Sequence, residues 1–287
     1  MTNIMQQQVA EARAEYGGGW TIEKLSVIGH YLDRYTTAMK NQPFRLMYID
    51  AFAGTGRVGF GQAETEFIHG SAMRALLTKD KPFDRIVLVE NDPSHYAELE
   101  RLRNKHRDRD IEVRNMDANQ YLRYLREDWS IWRGVLFLDP FATQVEWSTV
   151  EKIAGFGALD TWIMFPVSAI ARMLPTSKRP DEIADGWVNR LERVYGDDSW
   201  RELYRESRQL DLFGRVEHER DPGIDGLVTI YETKLIQLFG ERFLLDTRIL
   251  KNTKGSALFV MMFCVGSSNP RAVALAKRIA KHIVDNI

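Results

Sequence analysis

Five short strand-like runs, each separated from the next by a stretch of helical periodicity, are the feature that most constrains the fold of this chain. The runs occupy residues 46–49, 85–90, 111–116, 135–138 and 161–165. Strands that alternate with helices in this way predict a mostly parallel sheet with right-handed crossovers. Two more runs, 243–250 and 256–265, flank a short segment of turn residues and predict a closing hairpin. We therefore expect an α/β fold of about seven strands, the last pair antiparallel.

The alternation of strands and helices is interrupted between residues 167 and 226, where three prolines and many charges occur. A helical pattern within this stretch leads us to interpret it as an inserted helical lobe. Residues 20–166 and 227–287 then form one Rossmann-like domain. Residues 1–19, which end in three glycines, form a lead-in.

The first predicted helix covers residues 20–40. Its apolar face carries Leu25, Ile28, Leu32, Tyr35 and Met39. Lys24 points elsewhere on the helix, and a lysine in such a position is expected to be solvated surface.

Charge and cysteine content exclude several classes of protein. The formal net charge of the 287 residues is −1, so binding to nucleic acid requires a local basic patch rather than the charge of the whole protein. The single cysteine, Cys264, lies in an apolar run, and no Cys/His cluster has the spacing of metal ligands. No apolar stretch reaches the roughly 18 residues of a membrane span. A soluble cytoplasmic protein with no metal site and no membrane partner is expected.

A glycine loop follows the first strand-like run. Its sequence is Asp50-Ala-Phe-Ala-Gly-Thr-Gly56, and Gly54 and Gly56 leave the backbone bare, so that a ligand can lie against it. The carboxyl end of a strand is where open α/β sheets bind ligands. The alternative is a strand followed by a flexible loop with no ligand, and this segment alone does not decide between them.

Four successive strand-like runs end in, or lead directly to, an acid: Asp50, Glu90, Asp117 and Asp139. In a parallel sheet all four lie at one edge, where their carboxylates repel each other unless a ligand or another group compensates them. Helix capping is the alternative for each acid, and Asp117 and Asp139 are the most open to it.

A nucleoside ligand accounts for these acids. A carboxylate after the second strand is suited to accept hydrogen bonds from both ribose hydroxyls, and Glu90 is the residue at this position. Asp117, after the third strand, is placed to accept from an adenine amino group. NAD and S-adenosylmethionine both contain such a nucleoside. A pyrophosphate usually binds at the N-terminus of the helix that follows such a loop, and no helix follows this glycine loop promptly. This favours S-adenosylmethionine over NAD.

Several motifs resemble those of known proteins. The segments 50–56, 88–91, 115–117 and 138–141 resemble the first four motifs of class I S-adenosylmethionine-dependent methyltransferases, and the closing hairpin resembles their reversed last strand. More narrowly, Trp20-Thr-Ile-Glu-Lys24-Leu, Tyr48-Ile-Asp-Ala-Phe-Ala-Gly54, His69-Gly-Ser71 and Asp139-Pro-Phe141 resemble the three-Cys-motif partner family (TcmP). The narrower resemblance covers roughly residues 20–270.

The resemblance implies a role for each matching position. The expected cofactor-binding residues are Asp50, Phe52, Ala53, Gly54, Gly56, Glu90, Asn91, Asp117 and Ala118. Asp139, Pro140 and Phe141 are similar to the (Asp/Asn)-Pro-Pro-(Tyr/Phe) element of enzymes that methylate exocyclic amino groups, where the acid accepts from the target amine and the aromatic ring stacks on the base. This chain has one proline where that element has two.

Three functions are open at this point. The first is an S-adenosylmethionine-dependent methyltransferase acting on an amino group of a nucleic-acid base or a similar acceptor. The second is a non-catalytic or partner-dependent S-adenosylmethionine-binding module that works with a cysteine-motif protein resembling radical S-adenosylmethionine enzymes, the partner that the family name implies. The third is a nicotinamide dehydrogenase on the same sheet.

Overall fold

The computed structural model describes residues 19–60, 66–176, 180–210, 216–220 and 223–287, and the structural statements below concern these residues. Of the predicted lead-in, only Gly19 lies within them. For residues 57–60, 66–69, 206–210 and 216–219 the backbone alone is described.

Eleven strands occur in the described residues, and seven of them form the central sheet. The strands are β1 (Arg45–Asp50), β2 (Arg57–Phe60), β3 (Glu66–His69), β4 (Arg85–Glu90), β5 (Ile111–Asn115), β6 (Trp132–Leu138), β7 (Leu159–Phe165), β8 (Tyr204–Leu210), β9 (Val216–Arg220), β10 (Phe243–Lys251) and β11 (Ala257–Cys264). The five predicted runs and the two runs of the predicted hairpin all correspond to strands of the central sheet.

Nine α-helices occur in the same residues. They are α1 (Gly19–Met39), α2 (Ser71–Leu76), α3 (Pro93–Lys105), α4 (Ala118–Tyr124), α5 (Trp147–Phe156), α6 (Val167–Met173), α7 (Asp185–Tyr195), α8 (Asp225–Phe239) and α9 (Pro270–Asn286). None of them has the combination of length and hydrophobicity that crossing a bilayer requires.

The order of strands in the central sheet is β10-β11-β7-β6-β1-β4-β5. The strands from β7 to β5 are parallel neighbours, whereas β11 is antiparallel to both β7 and β10. This order confirms the predicted α/β fold, a Rossmann-like sheet of seven strands with an antiparallel last hairpin. The chain runs outward from β1 through β4 to β5 and then returns to β6 on the other side of β1. The order therefore reverses between β1 and β6, and open sheets bind ligands beside such a point.

The sheet separates two hydrophobic cores because its central strands are apolar on both faces. Along β1, Leu46 and Tyr48 pack on one side, with α1, α2, α3 and α9, while Met47 and Ile49 pack on the other, with the helices from α4 to α8. The alternation follows from the period of two in a strand. Helix α1 packs on the same face of the sheet as Leu46 and Tyr48, over β1, β6, β7 and β11. Its first turns lie near the ends of these strands.

Three local features were not predicted from the sequence. The N-cap of α2 is Gly70, and the hydroxyl of Ser71, the first residue of this helix, donates to Asp50. Between the glycine loop and α2 the backbone forms the short hairpin of β2 and β3. Residues 167–226 contain the antiparallel pair β8 and β9 as well as the helices α6 and α7. Charged residues within β8 and β9 hide their strand pattern, since apolar alternation is the main signal for a strand.

Candidate functional site

The carboxyl ends of β6, β1, β4 and β5 lie side by side at one edge of the sheet, because the four strands are parallel neighbours. Asp50 and Glu90 are the last residues of β1 and β4, Asp139 follows β6 directly, and Asp117 lies two positions beyond β5. The ends of β4 and β5 are also joined by a side chain, since Asn115 Nδ2 donates to the Glu90 carbonyl oxygen at 2.9 Å. The topology therefore brings the four predicted acids to the same edge of the sheet, which we call the mouth.

The glycine loop turns over the end of β4. Gly54 and Gly56 have φ angles of 56° and 71°, in the left-handed region that a residue with a Cβ rarely adopts. The Ala53 amide donates to the Val89 carbonyl at 3.0 Å. A Cβ on Gly56 would also lie 3.3 Å from Leu99 of α3. Both glycines are thus required by the backbone path, and they hold the loop close to β4.

Glu90 is oriented by two backbone amides. Its Oε2 accepts from Gly54 N and its Oε1 accepts from Asp92 N, each at 2.9 Å. The His95 Nδ1 atom lies 4.0 Å from Oε2. A carboxylate has about four lone-pair positions, so each Glu90 oxygen retains capacity for a further donor after these bonds. The following residue, Asn91, is exposed.

Asp50 lies beneath the loop and is completely buried. Its carboxylate accepts from the Ser71 hydroxyl, from the Tyr48 hydroxyl at 3.3 Å and from the Phe52 amide at 3.4 Å. Burial raises the pKa of Asp50 to about 6, against the opposing effect of the Ser71 hydrogen bond, and the nearby Asp139 carboxylate contributes in the same direction as burial. Asp50 therefore supports the glycine loop from the interior of the protein. In the loop itself, Phe52 is half-buried and Ala53 is buried.

Asp139 forms an ion pair with Lys24 of α1. The Lys24 Nζ atom lies 2.5 Å from Asp139 Oδ2, and only 5% and 17% of the two side-chain surfaces are exposed. The expectation that Lys24 is solvated surface is therefore wrong. The first turns of α1 lie across the strand ends, so the lysine stem is buried there and the ammonium group reaches the acid.

Lys24 is the residue of the mouth that sequence reasoning missed. The hydrophobic periodicity of α1 does not indicate that Lys24 is buried, because Lys24 lies off the main apolar face of this helix. The one available signal is its place in the Trp20–Lys24 motif quoted above. The Lys24 ammonium group also lies 4.9 Å from the centre of the Trp20 ring, a cation–π distance.

Pro140 and Phe141 have different environments. Pro140 is buried, whereas 41% of the Phe141 surface is exposed, and the Phe141 amide donates to Gln144 Oε1 at 2.7 Å. Beneath Pro140 is a small apolar cavity of ≈ 10 Å³, lined by groups that include Pro166 and Tyr231, which is about the space of one water molecule. The cavity is too small for a ligand, whereas the exposed Phe141 ring is suited to stacking on a flat group.

Asp117 is the N-cap of α4, where its Oδ1 accepts from Gln120 N at 2.9 Å. The capping alternative considered above therefore applies to Asp117. Its carboxylate is nevertheless exposed and Ala118 beside it is buried, so an adenine contact stays a prediction. The side chain of His69, from the quoted His69-Gly-Ser71 motif, lies outside the described residues. Within the described ranges, no three His, Cys, Asp or Glu side chains are grouped so that they could hold a metal ion.

Comparison with known proteins found no matching family model and no matching curated protein. Among solved structures, protein LPL1258 from Legionella pneumophila is 12% identical, with 91% of this chain and 92% of that chain covered and a TM-score of 0.44. The Trm1 structure from Pyrococcus horikoshii with S-adenosyl-L-methionine is 12% identical, with 91% and 57% covered and a TM-score of 0.40. M. jannaschii TYW2 in complex with AdoMet is 10% identical, with 80% and 73% covered and a TM-score of 0.32. None of these similarities assigns the chain to a family.

Proposed function

We propose that this protein is an S-adenosylmethionine-dependent methyltransferase that acts on an amino group. The observation that carries the proposal is the fixed Glu90 carboxylate. Two backbone amides hold it at the mouth, one of them from the glycine loop, and its remaining lone pairs suit the two hydroxyls of a ribose. The reversal of strand order between β1 and β6 supports a ligand at the same place.

The proposed cofactor site lies between the glycine loop and the ends of β4 and β5. Glu90 holds the ribose, and Asn91, Asp117 and Ala118 frame the adenine. The residues that surround the methionine part are Asp50, Phe52, Ala53, Gly54 and Gly56. The backbone of Gly54 and Gly56 allows close approach of the ligand. Asp50 supports this loop through its contact with the Phe52 amide.

Methyl transfer requires a nucleophile in line with the sulfonium–methyl bond. The nitrogen lone pair attacks the methyl carbon, the carbon–sulfur bond breaks, and its electron pair remains on sulfur, which yields S-adenosylhomocysteine. The methylated ammonium then releases a proton to solvent. Asp139 accepts a hydrogen bond from the amine and keeps its lone pair directed at the methyl group, while Phe141 stacks on the acceptor. Positioning of this kind supplies most of the rate in such a reaction.

The acceptor that we propose is an exocyclic amino group of a nucleic-acid base or a similar compound. The exposed Phe141 ring supports a flat acceptor that can stack on it. The net charge of −1 gives no general attraction to nucleic acid, so recognition depends on groups close to the mouth.

A second candidate function is favoured by the Lys24–Asp139 ion pair. Oxygen Oδ2 of the proposed catalytic acid Asp139 is already paired with Lys24 at 2.5 Å. An acid that is paired in this way is equally compatible with a non-catalytic or partner-dependent S-adenosylmethionine-binding module. In that case the resemblance to the three-Cys-motif partner family implies that the protein works with its cysteine-motif partner.

Two measurements separate these functions. Calorimetry with S-adenosylmethionine, S-adenosylhomocysteine and NAD tests the cofactor, and we expect the first two to bind and NAD not to bind. Transfer of a labelled methyl group to mixed nucleic acid, with and without a cysteine-motif partner, then tests catalysis. Transfer by the protein alone supports the methyltransferase; cofactor binding with transfer only when the partner is present supports the second function. NAD binding without S-adenosylmethionine binding would refute both.

Replacement of Glu90 by alanine is expected to weaken S-adenosylmethionine binding by about 1–3 kcal/mol, because the ribose hydroxyls and two backbone amides lose their acceptor. Calorimetry measures the change. The control is Glu241→Ala, since Glu241 is exposed and precedes β10 at the opposite edge of the sheet. Equal affinities of the wild-type protein and the Glu90→Ala variant would refute the ribose assignment.

A further inference from the structure

We infer that Lys24 is a positioning residue of the methyl-transfer site: its ammonium group holds the Asp139 carboxylate in place and compensates its charge, which lowers the preference of the mouth for the cationic cofactor over its uncharged product. This inference rests on the proposed function and adds to it a residue to which the motif resemblance gives no role. Four observations carry it: the 2.5 Å ion pair, the burial of both partners, the aromatic support of Lys24, and the electrostatic contact between Asp139 and Asp50.

The ion pair joins two distant parts of the chain. Lys24 lies in the second turn of α1, and Asp139 is 115 positions later. With 5% and 17% of their side-chain surfaces exposed, the two charges are screened little by solvent. A buried pair of this kind contributes little net stability compared with apolar groups, so stability alone is a weak reason for its presence at the mouth.

Aromatic rings fix the position of the ammonium group. The Trp20 ring contacts both Lys24, whose Nζ atom lies 4.9 Å from the ring centre, and Phe259 of β11, at a ring-centre distance of 5.3 Å. Because β11 is antiparallel to β7, Phe259 lies just beyond Phe165, at the carboxyl edge of the sheet. The order Phe259, Trp20, Lys24, Asp139 therefore runs along the edge from β11 to the end of β6, and Lys24 is held within the mouth from the α1 side.

The charge of the pair reaches the glycine loop. Asp139 lies close enough to Asp50 to raise the pKa of the Asp50 carboxyl. The groups that act on Asp50 are the Ser71 hydroxyl of α2, the Tyr48 hydroxyl of β1, the Phe52 amide of the loop and the Asp139 carboxylate, which in turn is paired with Lys24. Removal of the Lys24 charge leaves Asp139 uncompensated beside this group, so the potential at the mouth becomes more negative.

A more negative mouth affects the two forms of the cofactor differently. S-adenosylmethionine carries a sulfonium charge, and S-adenosylhomocysteine, which lacks the methyl group, does not. An uncompensated carboxylate therefore strengthens binding of the first more than binding of the second. At the same time Asp139 loses the partner that holds its Oδ2, so its Oδ1 is no longer kept in place for the amine.

The test uses Lys24→Met, which keeps the length of the side chain and removes its charge, together with Lys24→Arg and the neutral pair Lys24→Met/Asp139→Asn. We expect the ratio of the two dissociation constants, S-adenosylhomocysteine over S-adenosylmethionine, to rise about tenfold in Lys24→Met. The ratio should stay at the wild-type value in Lys24→Arg and return to it in the neutral pair. Single-turnover methyl transfer by Lys24→Met should fall by up to about 100-fold.

Lys234→Met is a matched control. Lys234 lies 2.5 Å from Asp197 and 5.3 Å from the centre of the Trp147 ring, so it repeats the chemistry of Lys24 on α8. Its replacement should leave the ratio unchanged.

The outcomes are distinguishable. If Lys24→Met changes both dissociation constants by the same factor, or neither, Lys24 has only a structural role and the inference is wrong, while the proposed function stands. If the neutral pair does not restore the ratio, Lys24 does not act through Asp139 and the inference is also wrong. If the wild-type protein binds neither ligand, the proposed function itself is refuted, and the inference with it.

Discussion

Replacement of Asp139 by alanine is expected to reduce methyl transfer by about 10²–10³-fold, the usual cost of removing one group that stabilises a transition state by a hydrogen bond. The same change leaves the Lys24 ammonium group buried with no counter-charge, since 5% of its side-chain surface is exposed. Loss of one partner of a buried ion pair costs about 3 kcal/mol of unfolding free energy. Single-turnover assays and urea unfolding measure the two effects.

Two further variants separate stability from catalysis. Lys24→Met/Asp139→Ala removes both charges, so its unfolding free energy should recover most of what Asp139→Ala loses. Its methyl transfer should stay low, because the acceptor for the amine is still missing. Full transfer activity in a folded Asp139→Ala protein would show that Asp139 takes no part in the reaction.

Replacement of Asp160 by asparagine is expected to stabilise the protein at neutral pH far more than in acid. Asp160 lies at the opposite edge of the sheet, near the start of β7, where its carboxylate accepts from the Tyr31 hydroxyl at 2.7 Å and from the Gly266 amide at 2.8 Å. Burial raises the pKa of Asp160 to about 6, and the two hydrogen bonds oppose this effect. An asparagine side chain can keep both contacts, with its amide group donating to Tyr31.

The sign of this effect follows from proton linkage. The pKa of Asp160 is higher in the folded protein than in the unfolded chain, so the folded state binds more protons and stability falls as the pH rises from about 4 to about 6. Above that range an ionised buried Asp160 costs about 3 kcal/mol. The difference in unfolding free energy between Asp160→Asn and wild type should therefore grow by about 2 kcal/mol from pH 4.5 to pH 7.5.

A second variant gives the opposite change. Tyr31→Phe removes a hydrogen bond that lowers the pKa of Asp160, so the decline in stability should extend to higher pH. Urea unfolding across the pH range measures both variants. A difference between Asp160→Asn and wild type that is independent of pH would contradict the raised pKa.

The central sheet could be predicted from the sequence because its strands are buried on both faces. The segments 46–49 and 135–138 are nearly continuous apolar runs, and such runs bounded by turn signals are the strongest available signal for buried strands. Acids after these runs then fall at one edge of the sheet because parallel strands share a direction. The positions of Asp50, Glu90 and Asp139 at that edge could therefore be predicted without knowledge of any tertiary contact.

The environment of each acid could not be predicted in the same way. The partner of Asp139 is 115 positions away, in a helix whose periodicity gives no reason to bury Lys24. Ser71, the first residue of α2, donates its hydroxyl to the buried Asp50 carboxylate from 21 positions away, and no local pattern indicates this contact. Contacts between side chains far apart in the sequence arise from packing, which local patterns do not encode.

The proposed function requires that one adenosine-containing molecule binds at the mouth, and a crystal structure of the protein with S-adenosylhomocysteine tests this directly. We expect the ribose hydroxyls within hydrogen-bonding distance of Glu90, the adenine beside Asn91 and Ala118, and the sulfur atom facing the Lys24–Asp139 pair. A ligand bound elsewhere, or a mouth filled by side chains when the ligand is in excess, would contradict the account.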